Sequence, residues 1–214
     1  MARRRRWTSS WNLPNALTCL RIVLTALFIW LATIEGPVSS FLALAVFGLA
    51  SLTDWLDGYL ARKLHQYTPF GIFMDPFADK VLVISALLVF LWENIVSVWI
   101  VIIIVARESI VTSIRVLAEA RGLSLGAIPS GKQKMVSQII AILCILAIIF
   151  AQYAISSSTG IPWDTALARS GPRYALLARA MAILPNLLLF VTMVFSVVSG
   201  VEFVHRHRRL FIKR

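Results

Sequence analysis

Six apolar runs, each near the length a helix needs to cross a bilayer, follow one another along this chain at 16–34, 38–60, 73–92, 95–117, 135–155 and 183–204. About twenty apolar residues span the roughly 30 Å of hydrocarbon as an α-helix, and there only helices and closed barrels satisfy their own backbone groups. The expected fold is therefore all-α, a polytopic membrane protein with six transmembrane helices and an N-terminal interfacial segment. One domain is expected, with the interfacial segment over 1–15, the bundle over 16–204 and a basic cytoplasmic tail over 205–214. A mean hydropathy of +0.82 agrees, as does a charged fraction of 14%, where soluble domains carry about 25%.

The net charge of +11 is confined to short segments that flank the runs. Such placement encodes topology and contact with anionic lipid headgroups, so no nucleic-acid partner is expected. With Arg3 to Arg6 inside, six spans return the tail from His205 to Arg214 to the same side, together with Arg62, Lys63, Arg121, Lys132 and Lys134. The expected location is a bacterial inner membrane crossed several times, with both termini cytoplasmic. Arg169, Arg173 and Arg179, in the polar segment 156–182, fall outside and conflict with the rule. The apolar run after the arginines continues as a full span without a cleavage site, so it is expected to be retained. Cys19 and Cys144 lie in apolar runs and imply no disulfide.

Against this background, four of the five aspartates crowd into 26 residues as Asp54, Asp57, Asp75 and Asp79. Carboxylates within membrane helices are costly and mark functional sites by default. Spacings of three and four residues put each pair on one helical face, with Pro69 and Gly71 expected in the connection between the two helices. Four like charges so close would repel and raise one another's pKa values, and bound cations relieve that. With no His or Cys on these faces, an all-oxygen site favours Mg²⁺, Mn²⁺ or Ca²⁺ over zinc. Four carboxylates suffice for two ions about 3.5–4 Å apart, of the kind used in phosphoryl transfer.

The full pattern, Asp54-x2-Asp57-Gly58-x2-Ala61-Arg62-x8-Gly71-x3-Asp75-x3-Asp79, resembles the signature of the CDP-alcohol phosphotransferase family with its spacing intact. Flanking stretches are similar to the branch of that family that uses glycerol 3-phosphate: Asn12 to Thr18 with Arg21, Phe70 to Val81, Ala106-Arg107-Glu108 and Gly131 to Lys134. Met135 departs from it, standing where a small hydroxyl residue is expected.

The resemblance implies a six-helix membrane fold, commonly a homodimer, that transfers the phosphatidyl group of CDP-diacylglycerol to glycerol 3-phosphate with release of CMP. It implies Mg²⁺ or Mn²⁺, two ions, held by Asp54, Asp57, Asp75 and Asp79, with Asp79 also the catalytic base. Gly58 and Ala61 would leave room for the nucleotide, with Arg62 and Arg21 as its polar contacts. A doubly charged acceptor needs cations on the same inner surface, and Arg107, Arg115, Lys132 and Lys134 are the candidates. Inositol phosphate, phosphatidylglycerol or serine as acceptor, and a cation transporter with the aspartates as ion path, are the alternatives. The transporter reading lacks the duplicated halves usual in that class.

Overall fold

The computed structural model describes the backbone of residues 13–64, 69–120 and 129–206, with side chains except at 13–15, 55, 57–64, 69–79, 119–120 and 129–132. Among the described residues the chain is helical throughout, as expected: α1 Leu13–Ala32, α2 Pro37–Leu64, α3 Pro69–Trp92, α4 Val98–Ala120, α5 Pro129–Thr159, α6 Trp163–Arg169 and α7 Pro172–Arg206. Three of them, within Pro37–Asp54, Gln133–Thr159 and Pro172–Arg206, are long and apolar enough to cross a membrane, and shorter apolar stretches lie at Ala16–Ala32 and Lys80–Trp92. It is a membrane protein.

Four helices begin on proline: Pro37, Pro69, Pro129 and Pro172. The first helical position suits proline because its missing N–H would have no intrahelical acceptor there. Pro69 and Gly71 therefore do not lie in a connection, as the spacing suggested. They belong to the first turn of α3, and the link from Leu64 shortens to residues 65–68, outside the described residues. The link 121–128 likewise lies outside them, as do residues 1–12 of the interfacial segment and the tail from 207.

At the end away from the links 65–68 and 121–128, two hairpins are tight. Gly36, at φ 138°, turns the chain from α1 into α2, and Asn94, at φ 54°, turns it from α3 into α4. Asn is among the few non-glycine residues that tolerate that left-handed conformation. Trp30, Trp92 and Trp99 are exposed at this end, the position of an aromatic belt at a membrane interface.

The polar segment 156–182 is mostly helix. The short α6 packs on α5 and α7 through Trp163 and Leu167, against Ile148, Ala151, Ile155, Ala178 and Met181. Arg173 and Arg179 are exposed on the first turns of α7. At about 1.5 Å per residue, the 35 residues of α7 reach further than the hydrocarbon is thick, so the helix has length to spare outside it.

The core runs between α1, α2, α3, α4, α5 and α7, with Phe28, Phe47, Phe90, Ile104, Ile142, Ile145 and Leu189 fully buried. Phe28 and Phe47 meet edge to face, with ring centroids 5.4 Å apart, a favoured aromatic geometry. Cys19 and Cys144 are free thiols on the outer surface of the bundle rather than in its core.

Asn186 of α7 fastens the hairpin between α3 and α4. Its Oδ1 accepts from the Ser97 backbone N–H at 2.8 Å, and its Nδ2 donates to the Ile95 carbonyl at 3.0 Å. Asn186→Ala removes both bonds and leaves the partly buried Ile95 carbonyl unpaired, so it should cost about 1–3 kcal/mol, read as a lower unfolding temperature in detergent. In the same hairpin, burial and then the Glu35 carboxylate raise the pKa of Glu93 above 4.5. Folding thus favours the protonated side chain, and its contribution is lost as pH rises through that raised value. Glu93→Gln, which mimics the protonated form, should raise the unfolding temperature at pH 7 and leave it unchanged below pH 4.5.

Candidate active site

Alternating helix directions bring the charged ends of α1, α2, α3, α4, α5 and α7 to one end of the bundle. Asp54 of α2 lies there, and its Oδ1 meets Nη1 of Arg21 from α1 at 2.6 Å, with the arginine side chain 1% exposed. Arg21 therefore does not snorkel to the interface. It is buried because a carboxylate one helix away neutralises it, and two charges so far from water are stable only as a pair.

Beside this pair is a cavity of about 20 Å³ lined by Arg21, Ser51, Asp54, Leu82, Val83, Met135 and Ile139. That is room for about one water-sized guest. Its hard donors are carboxylate and hydroxyl oxygens, and Arg21 engages one of the two Asp54 oxygens. These are the oxygen donors that hard divalent cations prefer, but with Arg21 on Asp54 and the rest of the lining apolar, no group of three or more metal-ligating side chains is assembled among the described residues. Met135, the departure from the family's pattern, lines this cavity.

Asp57 lies one turn after Asp54 on α2, and Asp75 and Asp79 lie in the first three turns of α3, on the helix that carries Leu82 and Val83 to the cavity. The side chains of Asp57, Asp75 and Asp79, and those of Gly58, Ala61, Arg62 and Lys132, lie outside the described residues.

A second cluster stands on α3, α4, α5 and α7. The Glu108 carboxylate pairs with Lys134 of α5 and with Arg107 at 3.5 Å. Lys80, directly after Asp79, donates to the Glu108 carbonyl at 3.3 Å and to the Thr112 hydroxyl. Arg107 also donates from Nη2 to Ser199 Oγ of α7 at 3.0 Å. Two cations, Arg107 and Lys134, thus share the Glu108 carboxylate, while Lys80 reaches the backbone carbonyl of the same residue. Arg115, two turns beyond Arg107, stands over the Phe203 ring at 5.8 Å, within cation–π range.

The structure brings together two of the expected acceptor cations, Arg107 and Lys134, and adds Lys80, which the sequence analysis had not singled out. Adjacency to Asp79 was the available signal. It also makes Glu108 the hub of the cluster, a residue the sequence marks only as part of the Ala106-Arg107-Glu108 stretch. Ser199 carried no sequence signal.

A family model described as CDP-alcohol phosphatidyltransferase matches residues 11–169, most of the chain and the whole span from α1 to α6. The chain belongs to the CDP-alcohol phosphatidyltransferase family. It is 40% identical over 147 residues to the CDP-diacylglycerol–glycerol-3-phosphate 3-phosphatidyltransferase of Bacillus subtilis, covering 63% of this chain and 76% of that protein. Proteins with the same name from Pseudomonas fluorescens (39% identity; 64% of this chain, 72% of theirs) and Escherichia coli K12 (38%; 63% and 76%) are similar to it. As a member of this family the chain is a transferase enzyme, of a family that works with divalent metal ions. The match ends before α7, so Ser199 and Phe203 lie beyond it.

Breaking a buried ion pair from one side costs more than replacing both partners, because the survivor stays charged in a poor solvent. Arg21→Met should therefore lower stability by about 3–5 kcal/mol, while Arg21→Met with Asp54→Leu recovers most of that loss and no activity. Thermal unfolding in detergent beside a turnover assay checks both.

Proposed function

We propose that this enzyme transfers the phosphatidyl group of CDP-diacylglycerol to glycerol 3-phosphate, giving phosphatidylglycerol phosphate and CMP. The observation that carries the acceptor is the convergence of Arg107, Lys134 and Lys80 on Glu108, at the same end of the bundle as Asp54. A phosphate monoester carries about −1.5 to −2 at neutral pH and takes several such donors at once. The relatives' names support the same acceptor.

Asp54, Asp57, Asp75 and Asp79 would hold Mg²⁺ or Mn²⁺, two ions, which supply charge neutralisation on the pyrophosphate. Gly58 and Ala61 leave space beside that set for the nucleotide, and Arg62 offers its fork to a phosphate oxygen. Arg21, held against Asp54, acts on the nucleotide side by fixing that carboxylate. Arg107, Lys134 and Lys80 grip the acceptor's phosphate, with Arg115 and Lys132 on the approach to it.

The acceptor's primary hydroxyl attacks the phosphatidyl phosphorus. The new P–O bond forms as the bond to the CMP oxygen breaks, and the hydroxyl proton passes to the Asp79 carboxylate. The acyl chains remain in the bilayer while the headgroup meets a soluble acceptor at the inner interface, which is why the site belongs at the ends of spans and on the cytoplasmic side.

The test is CMP release by the purified enzyme from CDP-diacylglycerol, with each candidate alcohol in turn. Release is expected with glycerol 3-phosphate and Mg²⁺ or Mn²⁺, to be abolished by chelation and restored by adding the ion back. Asp79→Asn should lower kcat by about 10²–10⁴-fold, and Lys134→Gln should raise KM for glycerol 3-phosphate about tenfold with little effect on the donor. Release with inositol phosphate, phosphatidylglycerol or serine alone would overturn the choice of acceptor.

A further inference from the structure

Arg107 is shaped from the far side by a helix that the family match does not reach. Four residues of α7 at helical spacing, Ser196, Ser199, Gly200 and Phe203, are buried, and three of them meet the arginines of α4. Ser199 Oγ accepts from Arg107 Nη2 at 3.0 Å. A Cβ placed on Gly200 would stand 3.0 Å from Arg107 Nε and 3.2 Å from its Cγ. Phe203 lies under Arg115 and packs with Val111 of α4.

Gly200 is thus a notch that the arginine stem fills, and Ser199 is the stop that sets the rotation of its guanidinium. Arg107 Nε is buried without a hydrogen-bond partner, and Nη1 has only the long 3.5 Å contact with Glu108. A guanidinium presents its five donors as a rigid planar fork, so fixing one edge fixes the direction of the rest. An arginine free to swing would satisfy those donors on Glu108 or on water, and would lose that direction.

We infer that Ser199 and Gly200 are positioning residues, which hold the Arg107 fork in the orientation that receives the acceptor's phosphate and thereby make α7 part of the acceptor site. The inference rests on the acceptor-phosphate role given to Arg107 above. It assigns that orientation to α7 rather than to Glu108. Glu108 is shared with Lys134, and its single long contact leaves the guanidinium free to rotate.

Steady-state kinetics with CDP-diacylglycerol and glycerol 3-phosphate separate these roles. Ser199→Ala should raise KM for glycerol 3-phosphate roughly tenfold, the scale of a lost hydrogen bond to a charged group. Gly200→Ala should raise it several-fold, while KM for CDP-diacylglycerol stays within about twofold of the parent for both. Ser199→Thr, which keeps the hydroxyl, should stay near the parent value. In an Arg107→Gln background, Ser199→Ala should add nothing, the non-additivity expected of residues that act through one another.

Equal shifts in both KM values, no shift with either variant, or full additivity with Arg107→Gln would overturn the positioning inference and leave the acceptor reading standing. An unchanged glycerol 3-phosphate KM in Arg107→Gln itself would overturn the acceptor role of Arg107, and the inference with it. Should Gly200→Ala not fold, the Ala and Thr replacements of Ser199 decide the matter alone, because they alter a hydroxyl without adding bulk.

Discussion

A charge within an apolar bundle has nowhere to go but to another charge or dipole, and the arrangement of this molecule follows from that. Arg21, Lys80, Arg107 and Lys134 each reach across to a neighbouring helix for a partner. A carboxylate or ammonium taken out of water without one would cost several kcal/mol. The contacts therefore do more than neutralise. Arg21 with Asp54 sets α1 against α2, and Lys80, Glu108, Lys134 and Ser199 tie α3, α4, α5 and α7 together at one level. Hydrophobic packing alone is non-directional and would allow these helices to slide.

The balance of that pairing is uneven, and the unevenness carries chemical meaning. Around Asp54 the described charges cancel, so the pair by itself attracts nothing strongly. Around the Glu108 carboxylate stand Arg107 and Lys134, with Lys80 on the backbone carbonyl of the same residue. Glu108 holds Lys134 and Arg107 apart from solvent and from each other's full repulsion while leaving the cluster electropositive. Without that carboxylate, three cations in a partly buried space would drive one another away or lose a proton. A second carboxylate there would weaken the attraction for an anion, which the proposed acceptor site needs.

Much of this was legible in the sequence, and the remainder was not, for physical reasons. The apolar runs, the Gly36 and Asn94 turns and the aspartate spacing depend on local chemistry that periodicity and turn propensity report directly. Pro69 and Pro172 were equally local signals, since proline opens helices as readily as it ends them. Pro69 nevertheless reads as part of a connection when only its spacing from the aspartates is weighed, and the polar segment 156–182 shows no apolar period that would fix its structure from sequence. Packing of Leu167, Ala178 and Met181 against α5 supplies the missing stability. The partners of Arg21 and Glu108 on other helices could not be read at all. A helical face is visible in one sequence, but which neighbour it meets is a property of the assembled bundle.

The two clusters are not independent, because one helix belongs to both. Asp79 and Lys80 are consecutive in α3, and Leu82 and Val83, one turn on, line the cavity beside Asp54. Consecutive helical residues point about 100° apart, so α3 can offer a carboxylate to one neighbour and an ammonium to the next. A rigid helix then fixes the separation of the carboxylate pattern from the cationic cluster to within the play of two side chains. For a reaction that must bring an acceptor hydroxyl to a phosphorus held by another group of residues, such a fixed separation replaces a search in solution by a set geometry. Arg107, braced by α7 on the far side of Glu108, extends the same logic outward. In the proposed reaction the helix that carries Asp75 and Asp79 also carries Lys80 of the cationic cluster, so a shift of α3 would disturb both at once.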